Sequence, residues 1–225
     1  WCHCPVVSLR ENVEGFHTLG IDDDAAMEDM VMHFVEVHEF TKFCFMSGPL
    51  DMEEARARLS CFQRIMKAYG LPVTEQQIFY GNFWTNCGAD ACDHFYQDGY
   101  QPEVIICAND YMAQGVSTEL LRRGYRIPED VCVSGFDGIP NTLFFSPSIT
   151  TVEVPFYEMG KEAVRLIADE MKKPSEDQEI IFPTRLVLNE SCGCYTLQKQ
   201  ELILNRCRYF EKNEADRNRR TAETF

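Results

Sequence analysis

VIICANDYMAQG at residues 104–115 and VCVSGFDG at residues 131–138 each consist of an apolar run followed at once by polar residues. Short apolar runs bounded by turn-forming residues are typical of buried strands. Asn109 and Asp110 follow the first run, and Asp137 follows the second. In an open parallel sheet, the carboxyl ends of the strands form the crevice in which ligands bind. The sequence therefore predicts a small-molecule site at this edge of a sheet.

Apolar strands alternate with helical patterns on both sides of this stretch. The predicted strands are residues 5–9, 40–46, 77–81, 103–108, 131–136, 149–154 and 180–188. Apolar residues at helical spacing predict helices at residues 25–37, 51–69, 87–97, 110–123 and 156–171. Strands that alternate with helices form βαβ units, which build a mainly parallel sheet. The element order predicts an α/β fold with a doubly wound, mainly parallel sheet.

The composition argues against several classes of function. The 225 residues carry a formal net charge of −15, which repels phosphate backbones and disfavours direct contact with nucleic acid. No run of about 18 or more apolar residues predicts a membrane span, and the amino terminus lacks the pattern of a secretion signal. With 45% hydrophobic residues, the chain can bury one sizeable core or two small ones. The sequence thus predicts a globular protein with no membrane partner.

The 11 cysteines indicate reduced thiols rather than a disulfide framework. Their count is odd, and Cys44, Cys107 and Cys132 lie inside apolar runs, so a cytoplasmic location is expected. Two clusters, Cys2-His3-Cys4 and Cys192-Gly193-Cys194, each offer two soft ligands and could together bind zinc. Because a CxC spacing alone is weak evidence, buried or idle thiols are the preferred interpretation. Neither a metal nor another cofactor is expected.

The sequence contains no recognisable catalytic set. The triplet Asp22-Asp23-Asp24 could bind Mg²⁺ or act in acid–base chemistry. However, it precedes a predicted helix, where aspartates are favoured by capping and by the helix dipole. The five histidines are scattered, and no phosphate-cradling glycine loop, GxSxG elbow or HExxH pair occurs. The chain is therefore not expected to be an enzyme.

Five segments between residues 55 and 163 together resemble one known family. They are ARARLSCF (55–62), GNFWTNCG (81–88), PEVIICANDYMAQG (102–115), GYRIPEDVCVSGFDG (124–138) and SPSITTVEVPFYEMGKEA (146–163). In order and spacing, this series is similar to the effector-binding domain of the lac repressor and galactose repressor (LacI/GalR) family. Cys61 departs from the family, which usually has glycine there. The resemblance implies a type I periplasmic-binding-protein-like fold, in which two α/β subdomains joined by three crossovers hold an effector between them.

The resemblance also implies how the chain is divided. Residues 1–195 would form the effector-binding domain, with crossovers at residues 19–22, at residues 152–156 and late in the strand that ends near Asn189. One subdomain would be complete and the other truncated; the complete one would comprise residues 22–152 and about 187–195, and the remnant residues 1–19 and 155–186. A helix and two strands cannot bury their own apolar faces, so this remnant is expected to pack poorly unless something covers it. Residues 196–225, rich in charge, predict an exposed helical tail.

Polar candidates for ligand contact stand at the strand ends. The carboxylate of Asp137 could accept two hydrogen bonds from sugar hydroxyls or from ring NH groups of a purine. The resemblance makes Asp137 and Asn109 ligand contacts, although each could instead serve as a turn or helix cap. Asp110 is expected to cap the helix that follows it. Arg58 matches an arginine that contacts effector oxygens in the family, whereas the alternative is a surface ion pair with Glu54.

Aromatic candidates complete the predicted pocket. Phe83 and Trp84 follow the predicted strand at 77–81, and an aromatic face suits a pyranose ring or a flat base. By the resemblance, Phe83 stacks on the ligand and Phe156 lies near the pocket mouth. Trp84 stands where the family commonly has a small hydroxyl residue, and its ring could narrow the pocket or select a planar ligand. One of Phe83 and Trp84 could instead be a core residue, and Phe156 could instead be a hinge-packing residue. Arg10 falls near a position that can carry a polar ligand group in relatives.

The resemblance implies a ligand-sensing domain of a LacI/GalR-type transcriptional regulator. Such a domain would bind a sugar or a purine-like effector and signal by closure of its two lobes. A homodimer is expected, and DNA would be contacted only through a headpiece absent from this chain. The alternatives are the solute-binding protein of a sugar transporter and the sensor domain of a signalling protein with a carboxyl-terminal output module. A flavodoxin-like enzyme would need a catalytic group that the sequence does not show.

Overall fold

The computed structural model describes residues 4–173 and 176–194. The strands are β1 (Val7–Leu9), β2 (His17–Ile21), β3 (Phe43–Ser47), β4 (Ile78–Tyr80), β5 (Val104–Cys107), β6 (Cys132–Asp137), β7 (Thr150–Glu153), β8 (Glu179–Phe182) and β9 (Arg185–Val187). The α-helices are α1 (Asp23–Met32), α2 (Glu53–Ala68), α3 (Gly88–Phe95), α4 (Asp110–Arg122) and α5 (Phe156–Glu170). A π-helical turn, His33–Val37, continues α1. The helical tail predicted at residues 196–225 lies outside the described residues.

The strands of the described residues form two sheets. The larger sheet has the order β4-β3-β5-β6-β7-β9, in which only β9 runs antiparallel to its neighbour. The smaller sheet has the order β1-β2-β8 and is parallel throughout. The predicted α/β fold with a doubly wound, mainly parallel sheet is confirmed.

Three connections join the two sheets. The chain passes from β2 through α1 to β3, from β7 through α5 to β8, and from β8 directly to β9. The prediction of a single strand at residues 180–188 is wrong, because this segment forms two strands, β8 and β9, that belong to different sheets. Pro183 lies between them and has no N–H to donate to a strand ladder, so the pairing of β8 ends there.

The structure also contains a strand, β2, that the sequence pattern did not predict. All five of its residues are buried, although the first two, His17 and Thr18, are polar. The ring of His17 makes this possible, because its Nε2 lies 3.1 Å from Glu170 Oε1 and its Nδ1 accepts a hydrogen bond from Gln178 N. A strand whose buried polar residues bond to distant partners does not form an apolar run, so the apolar pattern does not predict it.

The main hydrophobic core belongs to the larger sheet. Helix α1 packs against α2, α3 packs against α4, and both pairs contact strands of this sheet. Its buried rings include Phe45 and Phe62, which stack with their centroids 4.7 Å apart. On the smaller sheet, α5 contacts β1 and β2, yet Val164 is 67% exposed and Ile181 52% exposed. No helix in the described part of the chain has both the length and the apolar character that a membrane span requires.

Candidate functional site

A cavity of about 440 Å³ lies beside the carboxyl ends of β5 and β6. Both sheets contribute to it, because Arg10 follows β1 of the smaller sheet, whereas Asn109 and Asp137 stand at strand ends of the larger one. The lining residues are Arg10, Met52, Glu54, Arg58, Asn82, Phe83, Trp84, Asn109, Tyr111, Asp137 and Phe156. The structure therefore brings all six residues that the sequence analysis predicted as ligand contacts to one cavity, and Arg10 with them.

Arg58 is a buried cation in the wall of this cavity. Its side chain projects from α2 and the residue is only 3% exposed. Its guanidinium donates from Nε to Asp23 Oδ1 at 2.9 Å and from Nη1 to the carbonyl of Ala108, and it lies 3.7 Å from the centroid of the Phe136 ring. The ion-pair partner of Arg58 is therefore Asp23 rather than Glu54, and this pair is partly buried rather than on the surface.

Asp23 joins two arginines of the cavity. Arg10 Nη2 lies 3.0 Å from each carboxylate oxygen of Asp23, and Arg58 Nε contacts one of the same oxygens. The neighbouring aspartates have other partners: Asp22 caps α1 by accepting from Ala25 N, and Asp24 pairs with Arg64. Capping explains only Asp22, whereas Asp23 orients both guanidinium groups. No local sequence pattern predicts this second role, because the arginines lie 13 and 35 residues away along the chain.

Asp137 presents a carboxylate at the end of β6. Its backbone has a φ of 104°, a left-handed conformation that costs free energy for a residue other than glycine. Burial raises the pKa of this carboxyl, while the positive charges of Arg58 and Arg10 lower it. Arg58 Nη2 lies 3.6 Å from Asp137 Oδ1, a separation too long for a good hydrogen bond. The carboxylate thus keeps acceptor capacity for donors that enter the cavity.

Asn109 is the amino-terminal cap of α4. Its Oδ1 accepts from Met112 N at 2.9 Å, and its Nδ2 donates to the carbonyl of Phe83 at 3.0 Å. The prediction that Asp110 caps this helix is wrong. A cap residue needs an extended backbone, which Asn109 has with φ −151° and ψ 170°, whereas Asp110 is already the first residue of the helix.

Asp110 instead links α4 to β7 and to the segment after β6. The residue is fully buried, and its carboxylate accepts from the hydroxyl of Thr151 at 2.6 Å and from Ile139 N at 2.8 Å. Burial raises its pKa to about 7, although the hydrogen bonds from Thr151 and Ile139 lower it. Gly135 leaves room for this carboxylate, since a Cβ at that position would lie 2.2 Å from Asp110 Oδ1.

Aromatic side chains form another part of the cavity wall. Phe83 has a left-handed φ of 65°, and its ring lies against Gly48, where a Cβ would come within 2.2 Å of a ring carbon. Trp84 is 63% exposed, and its ring centroid is 5.6 Å from that of Tyr111. Phe156, at the start of α5, is half exposed. Tyr111 was not predicted, because its position on an amphipathic helix resembled that of any surface residue.

The chemistry of the lining suits binding. It combines carboxylate, guanidinium and amide groups with four aromatic side chains, which together can hydrogen-bond and stack on a polar ring. Within the part of the chain that the structure describes, the lining contains no His, Cys, Ser or Lys side chain.

Comparisons with known proteins agree with this architecture. A model of the periplasmic binding protein-like domain matches residues 31–192. The transcriptional repressor CytR of Escherichia coli is 32% identical over 155 residues, which are 69% of this chain and 45% of that protein. The repressor PurR of Vibrio atlanticus is 31% identical over 140 residues, which are 62% of this chain and 42% of that protein. A solved complex of the transcriptional regulator CelR with cellobiose has 25% identity and a TM-score of 0.74, covering 82% of this chain and 58% of that one.

Two sheets with a shared polar and aromatic cavity define an α/β ligand-binding domain. The family match extends over most of the chain, from the end of α1 to the segment after β9. The chain belongs to the periplasmic binding protein-like family, within which it is an effector-binding domain of the LacI/GalR type. It spans about half the length of the curated relatives it matches.

Proposed function

We propose that this chain senses a small polar effector, a sugar or a purine-like molecule, on behalf of a transcriptional regulator. The observation that carries the proposal is the cavity itself, in which Arg58 and Asp137 stand beside the rings of Phe83 and Trp84. The relatives CytR and PurR are transcriptional repressors, and CelR was solved with cellobiose, which supports a regulator with a ligand of this kind.

Each part of the effector has a matching group in the cavity. Adjacent hydroxyls or ring NH groups would donate to the Asp137 carboxylate, and an effector oxygen would accept from Arg58 Nη2, which now faces Asp137 at 3.6 Å. The aromatic rings would cover the apolar face of the effector. Asp23 neutralises much of the positive charge of Arg10 and Arg58. The cavity therefore favours a neutral polar ring over a polyanion.

Signalling would follow from contacts with both sheets. Arg10 and Phe156 belong to the segments of the smaller sheet and its helix, whereas Arg58, Asn109 and Asp137 belong to the larger sheet. An effector that touches both groups stabilises the arrangement in which they are close together, by its differential affinity for that state. In the complete regulator this closure would change the geometry of the attached output module.

The wider organisation is proposed on the same basis. Residues 1–195 would form the effector-binding domain, with residues 22–152 and about 187–195 as one subdomain and residues 1–19 and 155–186 as part of the other. The three connections between the two sheets support this division. A homodimer in the cytoplasm, with DNA contacted through a headpiece outside this chain and with no catalytic activity, fits the character of the relatives as transcriptional repressors.

A ligand screen tests the proposal. The full chain is mixed with a panel of monosaccharides, cellobiose, nucleosides and free purine bases, and its thermal unfolding is recorded. A true effector raises Tm, because it binds the folded state only. The shift should be lost in Asp137→Asn and retained in the control Asp130→Asn, which alters an aspartate paired with Arg126 outside the cavity. The proposal fails if no compound raises Tm, or if Asp137→Asn responds as the wild type does.

A further inference from the structure

Four metal-binding side chains meet at a place that the effector cavity does not use. His33 and His38 lie at the end of α1, and Cys192 and Cys194 lie after β9. One donor atom from each of the four lies within 4.8 Å of every other. His33, Cys192 and Cys194 are almost fully buried, at 1%, 1% and 3% exposure, and His38 is half-buried. Two imidazoles and two thiols are a donor set typical of structural zinc sites.

The distances among three of these atoms match the edges of a small tetrahedron. His33 Nε2 and His38 Nε2 are 3.2 Å apart, and Cys194 Sγ lies 3.4 Å from each of them. Around a tetrahedral zinc ion with ordinary bond lengths, two nitrogens are about 3.3 Å apart and a nitrogen and a sulfur about 3.6 Å apart. The three side chains are thus within a few tenths of an ångström of the spacing that a zinc ion imposes.

A π-helical turn of the backbone brings the two histidines together. In a regular α-helix, residues five apart point about 140° away from each other, so His33 and His38 would not share a face. The π-helical turn His33–Val37 contains more residues per turn than an α-helix, which reduces this offset. As a result, both rings direct Nε2 to one point, with their centroids 4.8 Å apart. Inserted π turns of this kind are frequent at functional sites.

The two cysteines are positioned by an equally specific turn. Gly193 between them has a left-handed φ of 80°, which a residue with a side chain adopts only at a cost. This turn follows a 3-10 segment, Glu190–Cys192, and places both thiols beside the histidines. The rings of Phe34 and Phe40 pack against His38 and shield the cluster on one side.

We propose that His33, His38, Cys192 and Cys194 bind one Zn²⁺ ion in a closed, tetrahedral structural site. Each side chain supplies one ligand atom, and both thiols lose a proton on binding, so that two thiolates and two neutral imidazoles leave the site uncharged. The ion would fasten the segment after β9 to the end of α1, across a separation of 161 residues between Cys194 and His33. It would therefore fix the point from which the chain continues toward its carboxyl end.

This site differs from the metal interpretation that the sequence suggested. That interpretation paired the Cys192-Gly193-Cys194 motif with the amino-terminal Cys2-His3-Cys4 motif. The structure instead places two histidines beside Cys192 and Cys194, and Cys4 is exposed. The amino-terminal motif and the pair His33 and His38 are thus alternative partners for Cys192 and Cys194, which makes Cys4 a useful control.

Metal analysis of the intact chain tests the proposal. The protein is purified without chelators and its zinc content is measured by mass spectrometry; about one ion per chain is expected. Cobalt(II) exchanged for zinc should give the strong visible bands of tetrahedral coordination and a thiolate-to-cobalt charge-transfer band. Removal of the metal by a chelator should lower Tm, and added zinc should restore it, because the ion binds the folded state.

Matched variants locate the ion. Cys194→Ser and His38→Asn should lose most of the zinc and the cobalt spectrum. Cys132→Ser, a buried thiol of β6 outside the cluster, and Cys4→Ser should keep both. A wild-type chain that takes up neither zinc nor cobalt overturns the proposal without any variant. It is equally overturned if the bound metal survives Cys194→Ser and His38→Asn, or if it is lost in Cys4→Ser. Because no effector takes part, failure of the effector screen leaves this test unaffected.

Discussion

Arg58 holds two carboxylates and a carbonyl of the cavity wall in place from one buried position. Replacing it by Met would leave Asp23 and Asp137 in a partly buried site with one less cation nearby. Breaking a buried ion pair by removing one partner costs about 3 kcal/mol. We therefore expect Arg58→Met to lower the free energy of unfolding by about that amount and to abolish the effector-induced rise in Tm. Urea unfolding and thermal shift measurements check the two effects.

Arg64 provides the control on the same helix. Its ion pair with Asp24 is exposed, with 56% and 60% of the two side chains accessible. Exposed pairs contribute about 1 kcal/mol or less, so Arg64→Met should change stability little and effector binding not at all. Equal losses in the two variants would contradict the role given to Arg58.

Gly48 sets the position of the Phe83 ring. A Cβ on this residue would come 2.2 to 2.5 Å from three ring carbons, so Gly48→Ala must displace the ring. Overpacking of this kind costs about 1–3 kcal/mol, and the displaced ring would also narrow the cavity. We expect a lower free energy of unfolding and a smaller effector-induced shift in Tm.

Gly160 in α5 is the matching control. No atom lies within 4 Å of the place where its Cβ would be, and its backbone is helical. Gly160→Ala should therefore raise stability by about 0.5–1 kcal/mol through helix propensity. If Gly48→Ala proved as harmless as Gly160→Ala, the close contact between Gly48 and Phe83 would not constrain the cavity.

At the scale of elements, Asp110 links α4 to β7 and to the segment after β6, and this link should depend on pH. The folded state holds the pKa of Asp110 near 7, whereas an unfolded aspartate titrates near about 3.9. The folded state therefore binds the proton more tightly, and its contribution to stability is complete below about pH 4 and is lost as pH rises to about 7. The loss should be on the order of 2–4 kcal/mol.

The comparison of wild type with Asp110→Asn isolates this contribution. Asparagine cannot titrate, so the difference in unfolding free energy between the two proteins should change steadily between pH 4 and pH 7 and stay constant above it. Urea unfolding at a series of pH values measures that difference. A difference that is independent of pH would show that Asp110 ionises alike in both states.

The elements were predictable where local sequence decides them. Strands β5 and β6 are uninterrupted apolar runs, and α2 has its buried residues at helical spacing, so each was placed to within a few residues. Strand β2 was missed because His17 is satisfied by Glu170 and Gln178, which lie more than 150 residues away. The break between β8 and β9 was missed because the apolar alternation continues across Pro183, and only the change of sheet reveals it.

At the scale of the whole molecule, the sequence located the cavity but not its internal contacts. Asn109 and Asp137 share this lining because the ends of neighbouring parallel strands meet at one edge, a rule that needs no long-range information. Arg58 on α2 and Phe156 at the start of α5 were expected there only from the family resemblance. The bridging role of Asp23 and the cluster of His33, His38, Cys192 and Cys194 depend on contacts between distant segments. Such contacts follow from the complete fold, and no local pattern contains them.

The variant Arg10→Met tests whether residues of both sheets contact the effector. Arg10 follows β1 of the smaller sheet and contacts both oxygens of Asp23 at the start of α1. Asp23 keeps Arg58 as a partner, so Arg10→Met should leave the larger sheet folded. The loss of one hydrogen-bonding cation from the cavity should weaken effector binding about tenfold, which corresponds to about 1.4 kcal/mol.

The same variant should also weaken closure. If the effector draws the two sheets together, its addition reduces the radius of gyration of the wild type in small-angle X-ray scattering, and this reduction should be smaller in Arg10→Met at equal occupancy. Arg126→Met is the control, because Arg126 pairs with Asp130 away from the cavity. Unchanged affinity and compaction in Arg10→Met would mean that the larger sheet binds the effector alone, and closure would then need another cause.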